Sequence, residues 1–314
     1  MPKKINWKNI RNYGSLLALI ALMIFLGIAS DRFFSARNLT NILRQASVVG
    51  IMGVGMTFVI LTGGIDLSVG STLALSGCVG AWLMKGGMDW PLALILSLLL
   101  GAFLGFTNGF FIVSLNIPPF IATLGMMGVS RGFTYILTNG APIYGFAEGY
   151  RNLGNADIFS IPIPAIIMLL LYLVYFILQN RTKFGRFAIS IGANEEAAFL
   201  SGIPIKKYLL LFYMNLGLLA ALSGNVMAAR LDAAMPTAAQ GYELDVIAAV
   251  VIGGTSLSGG QGTVIGTLIG ALIMAVVRNG LNLLLVSTYW QQVIIGFIVI
   301  GAVAFDVLNK KIKN

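Results

Sequence analysis

Apolar runs separated by short polar clusters dominate the chain. Most are too long for strands, and crossing a bilayer as a helix takes about 20 mostly apolar residues. The runs fall near 14–30, 45–62, 67–84, 91–115, 118–137, 161–178, 208–229, 244–258, 263–285 and 289–308. This pattern predicts an all-α fold, a polytopic membrane helical bundle of about ten spans forming a single transmembrane domain over 1–314. The run at 244–258 is too short to cross alone at roughly 1.5 Å per residue, which predicts a re-entrant segment or half of a broken helix.

Two of the runs border a glycine-rich phrase that occurs twice. Gly63-Gly64-Ile65-Asp66-Leu67-Ser68-Val69-Gly70 returns 190 positions later as Gly253-Gly254-Thr255-Ser256-Leu257-Ser258-Gly259-Gly260. Each copy follows a β-branched run. Unwound backbone survives at membrane depth only where protein buries it or it lines a cavity, so Gly63, Gly64, Gly253 and Gly254 predict helix breaks along a transport path. Close helix packing is the competing reading of the glycines. The spacing is compatible with either a parallel or an inverted internal repeat.

Composition supports a membrane protein. Hydrophobic residues are 58% of the 314 and charged residues only 10%, against roughly 25% charged in soluble domains; mean hydropathy is +0.90. The single Cys78 excludes an internal disulfide, and the lack of histidine removes the commonest general base and metal ligand. The net charge of +9 is dispersed over membrane flanks, which argues for positive-inside orientation and against nucleic acid. No Gly-Lys dipeptide occurs, so no nucleotide-binding P-loop is present.

Twelve of the twenty Lys and Arg lie in three regions: Lys3, Lys4, Lys8 and Arg11; Arg181, Lys183, Arg186, Lys206 and Lys207; and Lys310, Lys311 and Lys313. The N-terminal segment 1–13, the loop 179–207 and the tail 309–314 are therefore expected on the cytoplasmic side, with the first span an uncleaved anchor. Arg32, Arg37 and Arg44 run against this rule, since they fall in an outer connection.

Asp66 is the sharpest single candidate, because an acid at membrane depth costs about 2.5–3.5 kcal/mol on insertion scales. It either meets a hydroxylated substrate or gate in the path, together with Ser68, or caps the helix that follows. Asn139, Asn279, Asn282 and Gln291 are further path candidates, offering amides to a sugar-sized solute; Tyr289 and Trp290 fit an interfacial aromatic belt. Glu243 and Asp245 stand two apart, which points them in different directions on a helix and argues against an acid/base pair. Arg131 and Arg278 lie in apolar runs and need partners. In the cytoplasmic loop, Asn194 is a good N-cap, Glu195 and Glu196 suit a first turn, and Gly202 with Pro204 ends the helix. The result is a short helix presenting a small Ala197–Ala198 face.

Together these residues resemble the permease subunit of ABC importers for monosaccharides, in the ribose-permease branch. The resemblance spans nearly the whole chain and rests on an ordered set of motifs. These are the phrase 63–71, Ala122-Thr123-Leu124 with Arg131-Gly132, Thr138-Asn139-Gly140, Pro236-Thr237, the run 241–260, the Gly266–Ala271 stretch and Asn279-Gly280-Leu281-Asn282-Leu283. It implies a homodimer of permeases in a bacterial inner membrane, two cytoplasmic ATPase domains that hold ATP and magnesium, an extracytoplasmic sugar-binding protein, and alternating access. It implies no cofactor or metal in this chain and no enzymatic site. It also implies that Asn194 to Gly202 couples to the ATPase. A proton-coupled secondary transporter or facilitator, with Asp66 carrying the proton, is the alternative.

Overall fold

The computed structural model describes residues 7–311; Lys3, Lys4 and the tail residues 312–314, Lys313 among them, lie outside the described residues. The chain runs through α1 (Trp7–Ala29), α2 (Ala36–Leu61), α3 (Val69–Lys85), α4 (Trp90–Ser114) and α5 (Pro119–Thr138). It continues through β1 (Ile143–Tyr144), α6 (Glu148–Asn155), β2 (Asp157–Ile158), β3 (Ile161–Pro162), α7 (Ile163–Arg181), α8 (Lys183–Ala193) and α9 (Glu195–Leu200). Then follow α10 (Ile205–Leu231), β4 (Ala233–Ala234), α11 (Tyr242–Ile252), α12 (Val264–Leu283) and α13 (Thr288–Lys311). The strands make two small antiparallel pairs, β1 with β4 and β2 with β3.

Each of the ten expected runs contains a helix, but not all have spanning length. Six do: α2, α4, α5, α7, α10 and α12; Gly14–Ala29 and Thr288–Ala304 are shorter apolar stretches. The 17-residue α3 and 11-residue α11 measure roughly 25 and 16 Å at 1.5 Å per residue, short of the hydrocarbon thickness of about 30 Å. The expected shortness of 244–258 is thus present, and 67–84 shares it.

The central helix is α2, buried at every residue from 46 to 61. Its first third was invisible to hydropathy because Asn38, Thr40, Asn41, Arg44 and Gln45 are polar. The helix starts there because Ser35 caps it, accepting from the Asn38 amide. Arg44, one of the three arginines against the charge rule, bonds Asp157 at 2.7 Å and the Asn155 carbonyl at 3.0 Å. The connection through α6 thereby meets its charge. Around α2 pack α7, α10, α11 and α12, while α4, α5 and α7 expose apolar side chains such as Leu99, Phe103, Ile136 and Leu170.

One pattern occurs twice in opposite senses. The long α2 is followed by a loop at 62–68 and the short, buried α3; the long α10 is followed by a loop at 232–241 and the short, buried α11. The first loop turns back from the end of the bundle that carries α8 and α9, the second from the end that carries α6. The two short helices start beside each other: a Cβ on Gly70 would lie 2.6 Å from the Ala239 carbonyl oxygen and 2.7 Å from Glu243 Oε2. The two helix–loop–short-helix units thus run in opposite senses, and the loop of the second lies at 232–241 rather than at the second glycine phrase.

Candidate functional site: two helix breaks and the segment that joins them

Both glycine phrases end a helix in the same way. After α2, Gly63 takes φ +79° and the Gly64 amide bonds the Val59 carbonyl at 3.0 Å; after α11, Gly254 takes φ +93° and the Thr255 amide bonds the Val250 carbonyl at 3.1 Å. A left-handed residue just past the last turn satisfies carbonyls that the helix leaves free, and glycine takes that conformation without steric cost. The structural equivalence is Gly63 with Gly254, one position off the sequence match.

Beyond these stops the copies diverge. In the first, Asp66 is 2% exposed. Its Oδ1 accepts from the Ser68 amide at 2.8 Å and the Ser68 hydroxyl at 2.6 Å; its Oδ2 accepts from Asn108 Nδ2 at 3.2 Å. Asn108 Nδ2 also reaches the Ser68 hydroxyl oxygen at 2.9 Å. Helix α3 begins at Val69 with Ser68 as its N-cap residue, and the Ser68 side chain makes no capping bond because it serves Asp66. The carboxylate thus orders the entrance to α3 and ties it to α4. Beside it lies the buried Tyr213 hydroxyl, close enough that a Cβ on Gly64 would come within 2.5 Å, and it has no hydrogen-bond partner among the described residues. Asn108 and Tyr213 are the residues sequence reasoning missed here. The usable signal for Asn108 was a lone amide inside the apolar run 91–115, since polar groups at membrane depth need partners.

In the second copy the loop 253–263 closes on itself through the Ser256 amide and the Gln261 carbonyl at 2.9 Å, and the Ser256 hydroxyl bonds Asp306 of α13 at 3.0 Å. The Gly260 amide donates to the Leu61 carbonyl at 2.9 Å, which joins the two breaks directly. Gln179, at the end of α7 and 5% exposed, grips the same loop: its Nε2 donates to the Gly262 carbonyl and its Oε1 accepts from the Val264 amide, each at 3.0 Å.

The short α11 and the loop that precedes it are each held by an arginine. Arg278 meets the fully buried Asp245 at 2.5–2.6 Å and lies over the Tyr242 ring at 5.3 Å. Arg131 Nη1 donates to the carbonyls of Pro236 (2.6 Å) and Ala238 (2.9 Å), holding the re-entrant loop rather than an acid. Glu243 stays half-buried beside Gly70, so the two acids do point apart.

The remaining path candidates are engaged elsewhere. Asn279 exchanges hydrogen bonds with Asn38 at 3.0 and 2.8 Å, and Gln291 bonds Asn282 at 2.8 Å across the turn into α13. Asn139 is exposed and ends α5 at φ +48°. Of the six, the structure brings together Asp66 with Ser68 and, separately, Asn282 with Gln291.

The loop between α7 and α10 folds as two helices. Asn194 does cap α9, accepting from the Ala197 amide at 2.9 Å, and Gly202 ends it at φ +78°. Ala197 and Ala198 do not share a face: Ala198 is 3% exposed against the bundle, while Glu195, Glu196, Ala197, Phe199 and Leu200 point outward. In a six-residue helix, successive side chains stand about 100° apart, so one must turn in. Helix α8 is anchored by Phe184, whose ring lies 4.9 Å from Phe58 of α2 and 4.7 Å from Phe212 of α10. At the other end of the molecule the buried Tyr150 donates to Asn225 at 3.0 Å; burial pushes its phenol well above the ordinary value, so it remains a donor.

A multi-helix apolar bundle with interrupted, buried half-helices defines a multi-pass membrane transport protein. Residues 38–303 match the family described as "Branched-chain amino acid transport system / permease component", and the chain belongs to it. It is similar to the ribose import permease protein of Bacillus subtilis (strain 168), 46% identical over 307 residues that cover 97% of this chain and 95% of that one. The ribose import permease protein of Escherichia coli (strain K12) is also 46% identical, covering 95% and 93%. The D-allose transport system permease protein of the same strain is 41% identical, covering 95% and 92%. No solved structure matches.

Proposed function

We propose that this chain is the membrane permease of an ATP-driven monosaccharide importer, with ribose as its substrate. In this reading it works as a homodimer in a bacterial inner membrane and alternates access to a path between the two copies. The partners are an ATPase, which holds ATP and magnesium, and an extracytoplasmic sugar-binding protein. The termini and the α8–α9 segment face the cytoplasm. Asn194 to Gly202 receives the ATPase, and Asp66 with Ser68 orders the first break beside the path.

The observation that carries this reading is the meeting of both helix breaks with the segment that presents α9. That end is also where Arg181, Lys183, Arg186, Lys206 and Lys207 are exposed, as the positive-inside rule expects of a cytoplasmic face. Similarity to ribose import permeases over nearly the whole chain supports the substrate.

The test is uptake into vesicles holding the permease with its ATPase and binding protein. Ribose accumulation should require ATP and the ATPase; accumulation driven by a proton gradient without the ATPase would sink the proposal. Phe199→Asp, on the outward face of α9, should abolish ATPase docking in pull-down and uptake together. The sugar that co-purifies with the binding protein identifies the cargo.

A further inference from the structure

We propose that Gly192 is a positioning residue through which the α8–α9 segment moves both helix breaks as one unit, a role that rests on the importer reading above. Gly192 lies in the last turn of α8, packed into the hydrogen bond that joins the breaks. A Cβ there would strike the Leu61 carbonyl oxygen and lie 2.6 Å from the Gly260 nitrogen, the two ends of that bond. The fit is reciprocal. A Cβ on Gly259 would lie 2.9 Å from Gly192 Cα and 3.0 Å from the Gly63 nitrogen, and one on Gly260 would lie 2.9 Å from Ala193 Cα. Gly63, Gly192, Gly259 and Gly260, from three segments, therefore meet backbone to backbone.

The grip extends along all of α8. Just before the helix, Gln179 holds Gly262 and Val264; at its far end, Gly192 and Ala193 hold Gly259 and Gly260. The 11 residues of α8 thus join two grips that both fall on the single stretch 259–264. Only Asn194 separates α8 from α9, and its side chain is committed to capping α9. Displacement of α9 thus reaches the Leu61–Gly260 bond with no flexible linker between. Packed elements of this kind switch between discrete arrangements rather than deform smoothly. The bond must either travel with α8 or break, and in both cases the two breaks respond together.

The experiment uses the assembled permease, ATPase and binding protein in vesicles and reads sugar imported per ATP hydrolysed. Gly192→Ala should lower that ratio about tenfold and Gln179→Ala about threefold, within the range by which residues on a coupling route alter it. An unchanged ratio in assembled Gly192→Ala complex would overturn the inference. Because Gly192→Ala is crowded enough to threaten assembly, hydrogen exchange on the wild-type complex gives a second reading. A non-hydrolysable ATP analogue should change exchange in 188–200, 58–64 and 256–262 together; a change confined to 188–200 would overturn the inference. Wild-type vesicles with no ATP-dependent uptake would bring down the importer reading itself, and this inference with it.

Discussion

The two glycine phrases end their helices identically and then do opposite things. The first passes straight into the bundle and is sealed by Asp66, Ser68 and Asn108, with the Thr123 hydroxyl of α5 donating to the Ile65 carbonyl at 3.4 Å. The second stays at the α8–α9 end and reaches outward to Gln179, Leu61 and Asp306. A shared phrase therefore encodes the helix stop and nothing more. What each break does afterwards depends on whether the following residues find partners inside the bundle or among neighbours at its end.

The largest expected effect separates the supports of the breaks. Arg278→Leu would leave the Asp245 carboxylate buried and unpaired, at a cost of about 3–5 kcal/mol; thermal unfolding in detergent should show it, with the region around α11 and the second break opening first by hydrogen exchange. Asp66→Leu comes next. It leaves the Ser68 amide and the Ser68 hydroxyl proton without their acceptor, while Asn108 keeps only its bond to the Ser68 oxygen, and each buried orphan costs about 1–3 kcal/mol. Asp66→Asn should be far milder, under about 1 kcal/mol. The new amide keeps an acceptor for Ser68, and Asn108 can turn its unpartnered Oδ1 to accept from it. Equal losses for the two variants would show that the charge, not the hydrogen bonding, secures the first break.

Two smaller effects test the claimed equivalence. Gly63→Ala and Gly254→Ala should cost the same, about 1–2 kcal/mol each, because both residues are left-handed and a Cβ meets only ordinary contact or open space at either. A large difference in unfolding midpoint between them would break the pairing of Gly63 with Gly254. The smallest effect contrasts the serines. Ser256→Ala removes one hydroxyl bond to Asp306, worth about 0.5–1.5 kcal/mol, and Ser68→Ala should exceed it because Ser68 serves both Asp66 and Asn108.

Much of this architecture was legible in the linear chain. Ten apolar runs marked ten helices, because burial in lipid or protein demands long unbroken apolar stretches. Asn194 and Gly202 delimited α9, because capping is a local hydrogen-bonding requirement that few residues meet. Gly63, Gly64, Gly253 and Gly254 marked the breaks for the same local reason. The polar start of α2 escaped, since its amides and arginine find partners at distant positions such as Asn279 and Asp157. The path candidates Asn139, Asn279, Asn282 and Gln291 looked alike in sequence, yet Asn279, Asn282 and Gln291 bond to neighbouring helices while Asn139 stays exposed at the end of α5. Which face an amide points toward is set by how helices pack, not by its neighbours in the chain.

By itself, then, the order of residues determined that the protein is a helical membrane bundle, where its helices stop, and which short helix faces outward from the α7–α10 loop. Each of these follows from interactions within a few positions or from the hydrophobicity of a whole run. Only the tertiary structure decided that the two helix–loop–short-helix units run in opposite senses, that the second loop lies at 232–241, and that Gly192, Leu61 and Gly260 meet. Those facts depend on backbone approaches between residues 68 to 199 positions apart. Glycine permits such approaches but does not specify its partner.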